Sequence, residues 1–182
     1  MKKMGWWCSD TATLYFEECR LEAGALLGEE DQGFLGIMQN FNAERMSLAL
    51  MAYAFSQVCF EEAVAYARER ETFGRPLVRH QVIRHKLVDM KTRIEAVRAN
   101  LELLSWRIDQ GEWPIAEVCM AKNAATQCVE FCAKEAVQIF GGAGYMRGTI
   151  VERIYRETKV LAIGGGAEEV MKELAARQMG IP

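Results

Sequence analysis

Residues 68–81 gather four arginines, Arg68, Arg70, Arg75 and Arg79, with the Thr72 hydroxyl, the Phe73 ring and the His80-Gln81 pair. Guanidinium forks and a hydroxyl suit phosphate oxygens, and an aromatic face suits a flat heterocycle. The segment therefore reads as a grip for a nucleotide diphosphate. A second stretch, residues 138–145, opens on Gln138 and carries Gly141, Gly142 and Gly144. Taken alone it is a helix end followed by a turn. It departs from a dinucleotide fingerprint, because Arg147 stands where a third glycine belongs and no strand precedes it.

Two further positions bear on chemistry. Glu44 lies in an apolar helical seam between Phe41 and Leu48. A carboxylate there either swings to the edge of the seam or sits partly dry, where desolvation makes it a base near neutrality. Spacing alone favours the edge, and Glu62 occupies the same kind of place. Gly164-Gly165-Gly166 precedes Ala167-Glu168-Glu169-Val170. Free N–H groups at a helix start could hold an anion or polarise a carbonyl, and a plain turn between helices fits equally well.

Metal chemistry is not indicated. Cys128 and Cys132 share a helix face, but no His or carboxylate completes a ligand set, and His80 and His85 fall on different faces. The six cysteines, Cys119 among them, have no disulfide-framework spacing and read as reduced core thiols of a cytosolic protein.

The elements that must position these residues follow from apolar spacing. Ile37, Phe41, Leu48, Met51, Phe55 and Val58 form one series; Ile83, Leu87, Met90, Ile94, Val97, Leu101, Leu104 and Ile108 form a second. Val118, Ala125, Val129, Cys132, Ala136 and Ile139 form a third, opened by Pro114. These seams suit antiparallel helix packing. Two shorter helices are expected over residues 149–162 and 167–179, and a strand over residues 11–20.

The length of 182 residues suits one domain, and a net charge of −3 gives no field for nucleic acid or an anionic membrane. No apolar run is read as approaching the roughly 20 residues that span a bilayer, so no membrane insertion is expected. The first residues lack a secretory signal.

In order along the chain, Lys3-Met4-Gly5-Trp6, Asp10-Thr11, Phe16-Glu17-Glu18-Cys19-Arg20, Leu27-Gly28-Glu29-Glu30, Asn42-Ala43-Glu44-Arg45, Arg70-Glu71-Thr72-Phe73-Gly74, His80-Gln81, Gln138-Ile139-Phe140-Gly141-Gly142 and the residues from Met171 to Arg177 resemble the C-terminal part of the acyl-CoA dehydrogenase family. The likeness is to its long-chain and isovaleryl-like branch and covers nearly the whole chain. It implies an all-α fold: an up-down four-helix bundle over residues 29–182 with additional short C-terminal helices, preceded over residues 1–28 by the incomplete tail of a middle β-domain.

By the same resemblance, FAD and an acyl-CoA thioester are the expected cofactor and substrate. The expected reaction is α,β-dehydrogenation to a trans-2-enoyl-CoA, as in β-oxidation, with electrons passing to an electron-transferring flavoprotein. Most members carry the base in the late turn, where this chain has Gly165; the long-chain and isovaleryl members carry it where this chain has Glu44. Glu44 is therefore the expected base, Gly165 N–H the donor to the thioester carbonyl, and Arg45 a residue that orders the substrate site. Arg70, Thr72, Phe73, Gln81, Gln138, Gly141 and Gly142 match FAD-contacting positions, many of which reach the cofactor of a neighbouring subunit. A homo-oligomer, a dimer of dimers, is implied, in the bacterial cytoplasm or a mitochondrial matrix. Ala167 departs from the family's threonine, and Glu169 stands where a glutamine is often found. Ala43, Ala49 and Ala52 are compatible with a roomy acyl pocket. The expected state of this chain alone is inactive, and the rival reading is a non-catalytic helical assembly module of the same family.

Overall fold

Apolar residues at three- and four-residue steps fold into α1 (Gly33–Glu69), α2 (Gln81–Asp109) and α3 (Ile115–Phe140). The computed structural model describes residues 1–38 and 40–182 in full and the backbone of residue 39. Paired residues fix the directions. Cys59 lies by Cys128 and Cys132, and Tyr66 stacks on Phe140, so α1 and α3 run parallel. Lys86 pairs with Glu135 and Arg107 with Glu117, so α2 runs antiparallel to α3.

Side-chain size decides the packing. Ala49, Ala52, Ala63 and Ala67 on α1 and Ala125, Ala133 and Ala136 on α3 are fully buried, and such small faces let helices approach closely. From α2, Met90, Ile94, Val97, Leu101 and Leu104 fill the remaining core. Ala49 and Ala52 are thus core residues rather than pocket lining, whereas Ala43 is exposed.

Short helices close the fourth side of the bundle against α3: α4 (Gly142–Tyr145), α5 (Ile150–Glu157), α6 (Lys159–Ile163) and α7 (Glu168–Gln178). Thr149 caps α5 by accepting from Glu152 N–H at 3.3 Å. The single helix expected over residues 149–162 breaks at Thr158, where Leu161 N–H bonds back only three residues, to Thr158 O at 3.0 Å.

The strand expected over residues 11–20 does not form. Its β-formers have no partner, and an unpaired strand gains no ladder bonds. The described strands are β1 (Glu71–Thr72) and β2 (Arg75–Pro76), a hairpin between α1 and α2. The N-terminal arm is held instead by Trp7, whose ring meets the guanidinium groups of Arg147, at 4.7 Å, and Arg156, at 4.0 Å. A cleft of about 470 Å³ beneath this arm, lined by Met4, Glu130, Lys134 and Tyr155 among others, includes none of the expected site residues. By length and composition α1 could cross a membrane, although here it packs along α3.

Candidate functional site

The glycine turn between α6 and α7 is held from behind by two long-range cations. Gly165 and Gly166 have φ of +66° and +114°, which glycine adopts freely. The turn is closely packed too: a Cβ on Gly165 would sit 2.9 Å from Leu48 Cδ1, and one on Gly166 would displace the flexible end of Met171. Arg45 Nε donates to Gly165 O at 2.9 Å. Lys122 Nζ donates to Gly166 O at 2.6 Å and to Ala162 O at 3.4 Å. One residue on, Asn123 Nδ2 donates to Glu168 O at 3.0 Å, and Gln127 Nε2 reaches the Glu168 carboxylate at 2.6 Å.

Arg45 is 5 % exposed and Lys122 0 %, and among the described residues neither forms an ion pair. Burial, and then the nearby Arg45 charge, hold the Lys122 ammonium below the ordinary lysine range. No backbone carbonyl among the described residues accepts from the N–H groups of Gly165, Gly166 or Ala167. Ala167, the N-cap of α7, supplies no side-chain acceptor either. The turn therefore offers a row of free donors at the positive end of an 11-residue helix.

Glu44 is exposed, at the edge of its seam. It lies one helical turn before Leu48 on the same face, and Leu48 is the side chain that packs against Gly165. Glu44, Arg45 and the glycine turn thus share one end of the bundle. Lys122 is the residue that sequence reasoning missed. A signal existed: the third apolar series steps seven residues from Val118 to Ala125, and Lys122 occupies the skipped position on that seam.

The nucleotide-grip residues gather at the opposite end. Phe73 and Gly74 form the two-residue hairpin loop with φ of +52° and +74°, the pattern of a type I′ turn. Positive φ is unusual for a bulky residue, yet Phe73 is 96 % exposed and presents its ring outward. Arg75 Nη2 donates to His80 Nδ1 at 3.2 Å, and Thr72 Oγ1 lies 3.0 Å from His80 Nε2. A guanidinium only donates, so Nδ1 accepts and Nε2 carries the hydrogen toward Thr72. The Thr72 hydroxyl hydrogen is left free to donate outward.

Arg70 ends α1 and Gln81 begins α2, both exposed. Tyr66 stacks on Phe140 with ring centroids 4.2 Å apart, which brings the end of α3 alongside. There Gln138 and Gly142 are exposed, and Gly141 adopts φ 60° and ψ −136°. The two stretches singled out in sequence therefore lie at one end of the bundle, away from the glycine turn. From Arg45 to Arg70, α1 climbs about 37 Å at about 1.5 Å per residue.

The family model described as acyl-CoA dehydrogenase, C-terminal domain, matches residues 31–180. The mitochondrial long-chain specific acyl-CoA dehydrogenase of Mus musculus is 39% identical over 98% of this chain and 42% of its own length. A probable acyl-CoA dehydrogenase from Mycobacterium abscessus superimposes with a TM-score of 0.96 at 48% identity, over 99% of this chain and 48% of that one. PigA, solved as its FAD complex, superimposes with a TM-score of 0.80 at 26% identity over 85% of this chain and 40% of its own. The chain spans about half the length of the relatives it matches. By the match over residues 31–180, the chain belongs to the acyl-CoA dehydrogenase family and carries its C-terminal helical domain.

Proposed function

We propose that this chain is the C-terminal part of an FAD-dependent acyl-CoA dehydrogenase that converts acyl-CoA thioesters to trans-2-enoyl-CoA. Residues 1–28 are then the tail of a β-domain, and the reduced cofactor passes its electrons to an electron-transferring flavoprotein. The observation that carries the reading is the row of free N–H groups at Gly165–Ala167, next to Glu44 and backed by buried cations.

In this reading the Gly165 N–H donates to the thioester carbonyl, so that charge developing on that oxygen as the α-carbon loses its proton meets a fixed donor. The α-proton goes to the Glu44 carboxylate. The β-hydrogen leaves with its electron pair as hydride, and the electrons of the broken α-C–H bond form the double bond. FAD, when bound, supplies the hydride acceptor. Arg45 does not touch the reacting atoms; it holds the turn through Gly165 O. Exposed Glu44 becomes a competent base when acyl chain and neighbouring protein cover it.

The donor set at the far end suits the cofactor: Arg70 for phosphate, the outward Thr72 hydroxyl, and the Phe73 ring for stacking. A separation of about 37 Å along α1 exceeds the reach of one dinucleotide. Each flavin is therefore shared: Glu44 and Gly165 come from one chain, and Arg70, Thr72, Phe73, Gln81, Gln138, Gly141 and Gly142 from its neighbour. A homo-oligomer follows. Ala167, which has no hydroxyl for the cofactor, favours the second reading, a non-catalytic assembly module.

The test is Glu44→Gln in the assembled flavoenzyme, followed by anaerobic mixing with a medium-to-long acyl-CoA. Loss of flavin bleaching with FAD still bound is expected. Unchanged bleaching would remove Glu44 from the role.

A further inference from the structure

We propose that Lys122 is a positioning residue of the oxyanion donor: its buried ammonium, acting with Arg45, locks the peptide planes of the glycine turn so that their N–H groups face the substrate side. This rests on the dehydrogenase reading for the identity of the substrate, an acyl thioester. The ordering of the turn by Lys122 stands independently of it.

A lysine buried to 0 % with no carboxylate partner is costly and is rarely kept without a use. Here its hydrogen bonds go to main-chain carbonyls, Gly166 O and Ala162 O, on either side of the turn. Arg45 takes the carbonyl between them, Gly165 O. The chain has no cis peptide bonds, and in a planar trans peptide the N–H points opposite to the preceding carbonyl. Pulling Gly165 O and Gly166 O toward the two cations therefore drives the N–H groups of Gly166 and Ala167 away from them. Gly165 N–H heads the same row, one peptide after the bond from Gly164 N–H to Val160 O at 2.7 Å.

Flexible glycines gain nothing from side-chain packing, so without such struts the turn would sample many conformations. The clamp reaches it from two helices, at Arg45 on α1 and Lys122 on α3, so its geometry is set by the bundle core. Two positive charges behind the donors also add to the field of the α7 N-terminus, which favours negative charge in front. A merely structural lysine would instead act as a C-terminal cap of α6, and its loss would loosen the whole domain.

The experiment compares the wild-type chain with Lys122→Met by amide hydrogen exchange. Exchange at Gly165, Gly166 and Ala167 is expected to quicken about tenfold or more while Met90 and Ile94 in the core keep their protection. Unchanged exchange at the turn, or a uniform rise across the core, would overturn the proposal. If the variant does not fold, the wild type decides through the Lys122 ammonium resonance at neutral pH. Slowly exchanging ammonium protons with through-space contacts to Gly166 support the clamp; rapid exchange with solvent overturns it. In the assembled flavoenzyme, K122M is expected to lower the limiting rate of flavin bleaching about 100-fold, with little change in the acyl-CoA concentration for half-maximal rate. A change in half-saturation alone would contradict positioning of a transition-state donor. A wild type that bleaches no flavin removes the dehydrogenase reading, and the exchange data still decide whether Lys122 holds the turn.

Discussion

The two ends of this bundle are built by opposite means. At the glycine-turn end, buried cations from α1 and α3 donate to main-chain carbonyls, and no backbone carbonyl among the described residues accepts from the N–H groups of Gly165, Gly166 or Ala167. At the hairpin end, Arg70, Phe73, Gln81 and Gln138 are exposed, and only Thr72, Arg75 and His80 are tied to one another. The first end fixes geometry, which a proton abstraction beside a developing oxyanion requires. The second presents groups to something arriving from outside. About 37 Å of α1 separates the two ends.

The contrast predicts that substitutions at the two ends fail differently. The largest effect on rate is expected at the glycine-turn end, where Glu44→Gln, if Glu44 is the proposed base, should slow flavin bleaching about 10³-fold without releasing FAD, as read by stopped-flow absorbance. At the other end, Arg70→Ala with Phe73→Ala should weaken FAD binding by about 30-fold to 10⁴-fold, since a charged hydrogen bond and a stacking contact are each worth about 1–3 kcal/mol. Both side chains are exposed, so the melting temperature of the chain should not move. Equal bleaching defects with unchanged FAD affinity would erase the distinction between the ends.

Structural effects come next. Gly141→Ala should cost about 1–3 kcal/mol by urea unfolding, because φ 60° with ψ −136° is a glycine conformation. An unchanged midpoint would mean that this helix end relaxes freely. The smallest effect concerns the N-terminal arm. The Arg156 guanidinium, bonded at 2.8 Å, holds the Glu152 carboxyl below its ordinary range. A carboxyl depressed in the folded state gives stability that is full above its ordinary value of 4.5 and lost as pH falls through the lower folded value. Acid should therefore loosen the Arg156 contact to Trp7 before the bundle unfolds, and Glu152→Gln should abolish that early step in arm proteolysis.

The long helices were legible because their apolar residues repeat over many turns, and Pro114 marked the start of α3. The hairpin stretch stood out through residue type, since four arginines around Thr72 and Phe73 are an unusual local composition. The misses have physical causes. Residues 11–20 have strand chemistry but no neighbouring strand, and β-structure is decided by partners. Lys122 was passed over because charge usually marks a solvated face, and only the fold shows the carbonyls that satisfy it. The separation of the two ends was not visible either, because residues 45 and 70 look close in sequence until a continuous helix is seen to join them.

Mixed assembly tests the sharing of one flavin between opposite ends of two chains most directly. Enzyme carrying Glu44→Gln is dissociated and reassembled with enzyme carrying Arg70→Ala and Phe73→Ala, and flavin bleaching by acyl-CoA is measured. If each flavin takes Glu44 from one chain and the hairpin from the other, a mixed pair holds one intact site, and equal mixing should restore about a quarter of wild-type bleaching. Bleaching no greater than that of the two parents would mean that both sets of residues serve the same chain's flavin, and the division between the ends would be wrong.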